Sequence, residues 1–186
     1  MGADGRSRCG WGASAPEYIG YHDEEWGVPL RGDDALFERV CLEAFQAGLS
    51  WLTILRKRPA FRAAFAGFSI EAVARFDDTD LSRLLADAAI VRNRAKIEAA
   101  VHNAAVAREL PEGLSALLWS FRPDERRPRP GRLAEVPAVT SEASAMAAEL
   151  KRRGMRFVGP TTAYALMQAT GMVDDHLAGC WRAVPT

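Results

Sequence analysis

The sequence predicts an all-α protein, and three observations carry the prediction. Apolar residues recur at i, i+3, i+4 and i+7 through most of the chain, the spacing of a helix face. No segment sustains the apolar–polar alternation of a half-buried strand. One stretch, Lys151-Arg-Arg-Gly-Met-Arg-Phe-Val-Gly-Pro-Thr-Thr162, reads as a helix end, a tight turn and the start of a second helix.

In chain order, Asp33 and Asp34 are placed to cap a helix with Leu36, Phe37, Val40, Cys41, Ala44 and Phe45 on one face. Ser50 caps a short helix with Leu52, Ile54 and Leu55, which Pro59 is expected to interrupt. Phe61, Ala64 and Phe65 follow. Ser69 starts another turn, with Val73 and Phe76 inward. Residues 80–88 turn Leu81, Leu84 and Leu85 inward. Residues 92–109 form the longest candidate, with Ile97, Ala100, Val101 and Ala104 on one side. Residues 114–121 continue the core. Residues 140–153 place Ala143, Met146, Ala147 and Leu150 together. Residues 123–137 break the pattern with four prolines, among Arg122, Arg126, Arg127, Arg129 and Arg132. They read as a solvated linker, with a phosphate-contacting loop as the alternative.

The chain has 186 residues, 48% hydrophobic and 26% charged, which suits one globular domain with a real core. Lys+Arg and Asp+Glu both number 24, so no global field draws the protein to a polyanion. Any nucleic-acid site must come from local clustering. No apolar run is long enough to span a membrane, and the polar, glycine-rich start differs from a signal peptide. The expectation is a cytoplasmic monomer. Three cysteines are too few and too odd a set for a disulfide framework.

In the hairpin, Gly154 would stop the first helix, and Phe157 and Val158 would fold inward. Gly159 would permit a turn that a side chain obstructs, and Pro160 suits the first position of a helix. The second helix carries Ala163, Leu166, Met167 and Thr170 on one face, closed by Gly171. Amides at Gly159, Thr161 and Thr162, beside Arg152, Arg153 and Arg156, could hold a phosphodiester. On these residues alone the plainer account, two core helices joined by glycine turns, has the advantage.

Cys9 and His22 lie near one end of the chain, His176 and Cys180 near the other. If the last pair is helical, i and i+4 share a side, and the four could hold one ion. Four protein ligands fill a tetrahedral zinc shell, so such zinc would be structural, stapling residues 1–30 to residues 174–186. The spacing matches no standard finger, and coincidence is the competing account. Cys41 reads as core, and His102 as a surface or packing residue. Trp11, Tyr18, Tyr21, Trp26 and Trp51 crowd the first third, with Glu43 among them. An acid beside tryptophans suits a flat cationic or electron-poor ligand. A core of aromatics with Glu43 at its wet rim is an equal reading.

Several blocks together resemble the DNA-3-methyladenine glycosylase I family. They are Arg8-Cys-Gly-Trp11, Tyr21-His-Asp-Glu-Glu-Trp-Gly-Val-Pro29, Leu42-Glu43 with Gln46-Ala-Gly-Leu-Ser-Trp51, the hairpin of residues 151–162, and Val173-Asp-Asp-His176 with Gly179-Cys180. The resemblance runs over nearly the whole chain. It implies a helix-hairpin-helix DNA glycosylase fold whose N- and C-termini are joined by a structural zinc site on Cys9, His22, His176 and Cys180. It implies that residues 151–172 grip DNA. It places Glu43, Tyr21, Trp51, Trp11 and Trp26 at or around a base pocket, with Glu43 as the catalytic candidate and Trp51 as the stacking ring.

The resemblance implies release of free 3-methyladenine from double-stranded DNA. Thr161 stands about where relatives in the wider hairpin superfamily carry a nucleophilic lysine, so a hydrolase without a strand-cleaving lyase step is expected. Asp174 and Asp175 are secondary catalytic candidates, since such relatives carry an aspartate after the hairpin. Asp175 could instead orient His176 on the metal. Two features depart from the family: Ala89 replaces an expected glycine, and the basic loop 122–132 is particular to this chain. Two other classes remain: a silent binder of methylated base or DNA on the same fold, and a zinc hydrolase with metal-bound water.

Overall fold

The structure is a computed structural model, and it describes residue 2 and residues 4–182. No strand occurs among them. A 3₁₀ turn at Gly10–Ala13 leads into α1 (Pro16–Gly20), which runs on into a π-helical turn at Tyr21–Glu25. There follow α2 (Asp33–Gln46), α3 (Trp51–Ala64), α4 (Ile70–Val73), α5 (Asp78–Ala86), α6 (Arg94–Arg108) and α7 (Leu114–Trp119). After a long loop come α8 (Ser141–Arg152) and α9 (Pro160–Ala169).

The core is built around α2. Its residues Leu36 through Phe45 are all buried, Glu38, Arg39 and Glu43 included. A helix buried on every side packs neighbours on every side, and α3, α6, α7 and α9 all lie against it. That placement takes these three of the five charged side chains of α2 out of bulk water. The helix ends are set by local chemistry. Ser50, Ser69, Asn93 and Thr140 each accept a first-turn amide hydrogen at the start of α3, α4, α6 and α8. Asp77 and Asp80 form a reciprocal capping box on α5.

Several local expectations are overturned. Asp33 and Asp34 do not cap α2, whose N-cap is Gly32. Their carboxylates reach outward instead: Asp34 accepts from Ile70 N at the start of α4 and Asp33 from Ser115 N in α7, both at 2.8 Å. The first turn of α2 thus caps two other helices. Pro59 does not interrupt α3, which runs unbroken through it. The packing of Ile54, Leu55, Phe61 and Ala64 on both sides outweighs one lost hydrogen bond. Phe157 does not fold inward; it is 46% exposed, at φ 58°. Gly159 is in extended backbone, and a side chain there would meet nothing. Residues 176–180 form a turn rather than a helix.

The loop of residues 123–137 is more than a solvated spacer. Arg127 Nη2 donates to Tyr164 Oη at 2.8 Å, Arg129 Nε donates to Asp174 at 2.9 Å, and Pro130 O accepts from Ala178 N. The loop is therefore tied to α9 and to the segment after it. His102 is a packing residue: its Nε2 donates to Gly154 O at 2.9 Å.

Candidate active site

Residues from five parts of the chain line a cavity of about 380 Å³: the aromatic N-terminal segment, α2 with the start of α3, residues 133–138, α9, and the segment after it with Asp175 and Leu177. Trp11, Tyr18, Tyr21, Trp26 and Trp51 form much of its wall. Tyr21 lies 5.5 Å from Trp51 and 6.2 Å from Trp11, centroid to centroid, and Trp11 meets Trp26 edge-on at 5.0 Å. The size and the rings suit a planar heterocycle.

Glu43 projects from α2 into this cavity. It is 6% exposed, and among the described residues no side chain donates a hydrogen bond to its carboxylate. Burial pushes its pKa up to about 8, against the opposing pull of Arg39, one helical turn earlier. Arg39 is itself fixed by Glu25, which also binds Arg58 at 2.6 and 2.8 Å. Trp51 Nε1 is a buried donor without a partner. With no donor on it among the described residues and a place on the cavity wall, the Glu43 carboxyl is open to the N–H groups of a ligand. Burial, and the nearby charge of Glu43, also keep the Tyr21 phenol protonated.

Asp175 also lines the cavity. It does not touch His176 as a positioning carboxylate. Its Oδ2 accepts from Tyr164 Oη and from Gln168 Nε2, the latter at 2.8 Å. Asp174 faces away, toward Arg129, and accepts from His176 N at 3.3 Å.

Cys9, His22, His176 and Cys180 come together as anticipated, with ligand atoms all within 4.8 Å of one another and all four residues buried. The turn at residues 176–180 achieves what a helix was expected to do. Cys180 Sγ lies 3.4 Å from His22 Nε2 and 3.7 Å from His176 Nδ1, and Cys9 Sγ lies 3.7 Å from His176 Nδ1. The outer ring nitrogens are occupied. His22 Nδ1 donates to Asp23 at 2.8 Å, and His176 Nε2 donates to Trp26 O at 3.2 Å. This leaves His22 Nε2 and His176 Nδ1 as the inward lone pairs, the tautomers a metal needs. A cation could be held there by all four.

Room for the rings is made by glycine. A Cβ on Gly12 would lie 2.5 Å from the His22 ring, and one on Gly27, at φ 78°, would lie 3.0 Å from His176 Nε2. Trp26 packs edge-on against His176 at 4.7 Å and Trp11 against His22 at 5.2 Å. The two tryptophans are thus a shared wall between the cluster and the cavity.

At the hairpin, Thr161 lines the cavity, Gly159 and Thr161 are exposed, and Thr162 is half-buried. Arg152 and Arg153 pair with Glu149, and Arg153 also with Glu112, at 2.5 to 2.7 Å on the surface. Such exposed pairs are weak and exchangeable for a phosphate. Arg156 is exposed.

Sequence reasoning did not single out four positions: Gln46, Tyr164 and Gln168 on the cavity wall, and Asp23 behind His22. Gln46 could have been found, three residues beyond Glu43 on the same helix face. The others needed the tertiary structure.

Residues 11–183 match the family model described as methyladenine glycosylase. The chain is 44% identical over 177 residues to the DNA-3-methyladenine glycosylase 1 of Escherichia coli (strain K12), covering 93% of this chain and 95% of that one. It is similar to a solved structure of 3-methyladenine DNA glycosylase I with TM-score 0.90 and 41% identity, over 95% of this chain and 99% of the other. A variant of such an enzyme, solved in complex with 3-methyladenine, superposes with TM-score 0.88 at 35% identity, over 94% of this chain and 96% of the other.

Proposed function

This chain belongs to the methyladenine glycosylase family, and on that premise we propose that it removes 3-methyladenine from alkylated DNA by hydrolysing the N-glycosidic bond. The observation that carries the proposal is Glu43: a buried carboxylate without a hydrogen-bond donor, facing an aromatic cavity.

The chemistry asks little of a general acid. Methylation at N3 leaves the base cationic within DNA, so the bond from the sugar C1′ is already weak. When it breaks, the electron pair goes to the base, which departs neutral. Water adds to the oxocarbenium-like sugar and gives its proton to solvent. The protein must flip the nucleotide out, hold the base and favour its positive charge. Before a base enters, Glu43 holds a proton near neutral pH. The charge of the entering cationic base favours its loss to solvent, and the carboxylate is then suited to accept hydrogen bonds from the amino edge of the base and to stabilise the cation. Trp51 is suited to stack on it, Tyr21 to contact its edge, and Trp11 and Trp26 to close the wall. Asp175, bound by Tyr164 and Gln168, is the secondary carboxylate facing the same space; Asp174, paired with Arg129, is the weaker candidate.

Residues 151–172 serve in this reading as a helix-hairpin-helix that holds the backbone of double-stranded DNA. The amides at Gly159, Thr161 and Thr162 would take a phosphate, with Arg152, Arg153 and Arg156 around it. The bare Cβ side of Gly159 leaves the approach open. Thr161 at the cavity supplies no amine nucleophile, which supports a monofunctional hydrolase that leaves the abasic strand intact.

Zinc is the ion that the buried cluster fits. A tetrahedral shell with two Zn–S and two Zn–N bonds has edges of roughly 3.3–3.8 Å. The S···N distances of 3.4 and 3.7 Å agree. Four ligands leave no open position, so zinc would supply folding energy, tying residues 9 and 22 to residues 176 and 180. All these groups come from one chain, so a monomer suffices. No helix among the described residues is long and apolar enough to cross a membrane. The test of the reading is release of free 3-methyladenine from methylated duplex DNA by zinc-loaded protein. Binding of the base without release would leave only a binder.

A further inference from the structure

Helix α6 touches neither the cavity nor the exposed face of the hairpin, yet two of its buried polar side chains reach toward both. Lys96 is 9% exposed. Its Nζ donates to Phe45 O at 3.1 Å and Ala47 O at 2.7 Å, carbonyls at the C-terminal end of α2 that have no helical partner. A cation there also meets the negative end of the helix dipole. The carbonyls it binds lie between Glu43 and Gln46 on one side and Trp51 on the other. Lys96 thus pins the junction that joins the carboxylate wall of the cavity to its stacking ring.

Asn103 is 2% exposed. Its Nδ2 donates to Arg156 O at 2.9 Å, and its Oδ1 accepts from Arg156 N at 2.8 Å, so both backbone groups of one hairpin residue are bound by one side chain. The neighbouring His102 holds Gly154 O. The turn needs outside fixing, because Gly154 and Phe157, on either side of Arg156, both sit at positive φ.

Lys96 and Asn103 are seven residues apart, two helical turns on one face, or roughly 10 Å along the axis. We propose that α6 is a spacer that sets the distance between the base pocket and the DNA hairpin, with Lys96 and Asn103 as its two positioning residues. Flipping requires that distance to be right: the backbone is gripped at one place while the base is held at another. The inference rests on the glycosylase reading above and adds residues that touch neither base nor phosphate.

The two ends separate experimentally. Lys96→Met and Asn103→Leu are compared with wild type after zinc content and melting temperature confirm folding. The readouts are kcat and KM on methylated duplex, and the Kd of free 3-methyladenine. For Asn103→Leu the expectation is a KM raised about tenfold with the free-base Kd within about twofold of wild type. For Lys96→Met it is a kcat lowered about tenfold and a weakened free-base Kd, partly recovered in Lys96→Arg. Folded variants with wild-type values overturn the inference. So does an equal loss of both readouts at both positions, which general loosening would give. If Asn103→Leu does not fold, Asn103→Asp, which keeps the acceptor and loses the donor, is read the same way. A wild type that releases no base would instead sink the underlying reading.

Discussion

His22 donates from Nδ1 to the carboxylate of its chain neighbour Asp23 at 2.8 Å, and this turns its other nitrogen toward Cys180 Sγ, 3.4 Å away. Asp23 is in turn held by Arg8, at 2.7 and 2.9 Å, and by Trp181 Nε1, at 3.1 Å. The Arg8 guanidinium keeps this carboxyl well below the usual carboxylate range. The Cys/His cluster therefore has a charged support drawn from both ends of the described chain. Asp23→Ala is expected to weaken zinc affinity by about 10–100-fold, read by competition with a chromophoric chelator. Unchanged affinity would remove Asp23 from the metal site.

Gly12 offers a steric test of the same centre. An alanine there places a Cβ against the His22 ring. Gly12→Ala is expected to lose zinc and to lower the melting temperature in zinc-containing buffer. Gly10→Ala serves as the control, because a side chain at Gly10 meets nothing. Equal behaviour of the two variants would contradict the packing described.

Metal removal should act on stability and not on chemistry directly. A strong chelator is expected to lower the melting temperature and restore it on zinc addition. Cobalt loading should give the visible spectrum of a tetrahedral Cys₂His₂ site. A five- or six-coordinate spectrum would mean an open position and would revive the hydrolytic-metal reading.

The Cys9, His22, His176 and Cys180 set was legible from residue type, with the resemblance joining its two distant halves. The helical fold was legible along the chain because apolar periodicity is a local property. Pro59 was misread for the same reason: a local rule about helix breaking does not see Ile54 and Phe61 packing on either side of it. Phe157 was misread because apolar residues are expected inside, whereas this one stands exposed at a hairpin tip. Asp23 was visible next to His22, but only the fold shows that it, and not Asp175, binds a ring of the Cys/His cluster. Glu43 could be placed on a helix, but whether its carboxylate was wet or dry depended on the helices packed around α2.

The buried Glu43 makes a prediction about pH. Its folded pKa is raised to about 8 from an ordinary 4.5. The folded state thus holds a proton that the unfolded state has lost, and stability falls as pH rises between those values. Glu43→Gln has no charge to bury. It is expected to match wild type in stability near pH 4.5 and to exceed it at pH 8 by on the order of 2–4 kcal/mol, read from denaturant midpoints. A difference that does not change with pH would mean that Glu43 is not desolvated as described.

The same substitution tests the central claim. Release of free 3-methyladenine from methylated duplex DNA is compared between wild type and Glu43→Gln, both folded and zinc-loaded. The account predicts release by the wild type and a loss of about 100-fold or more in kcat/KM for a variant that is no less stable. No release by the wild type, or equal release by both, would contradict it.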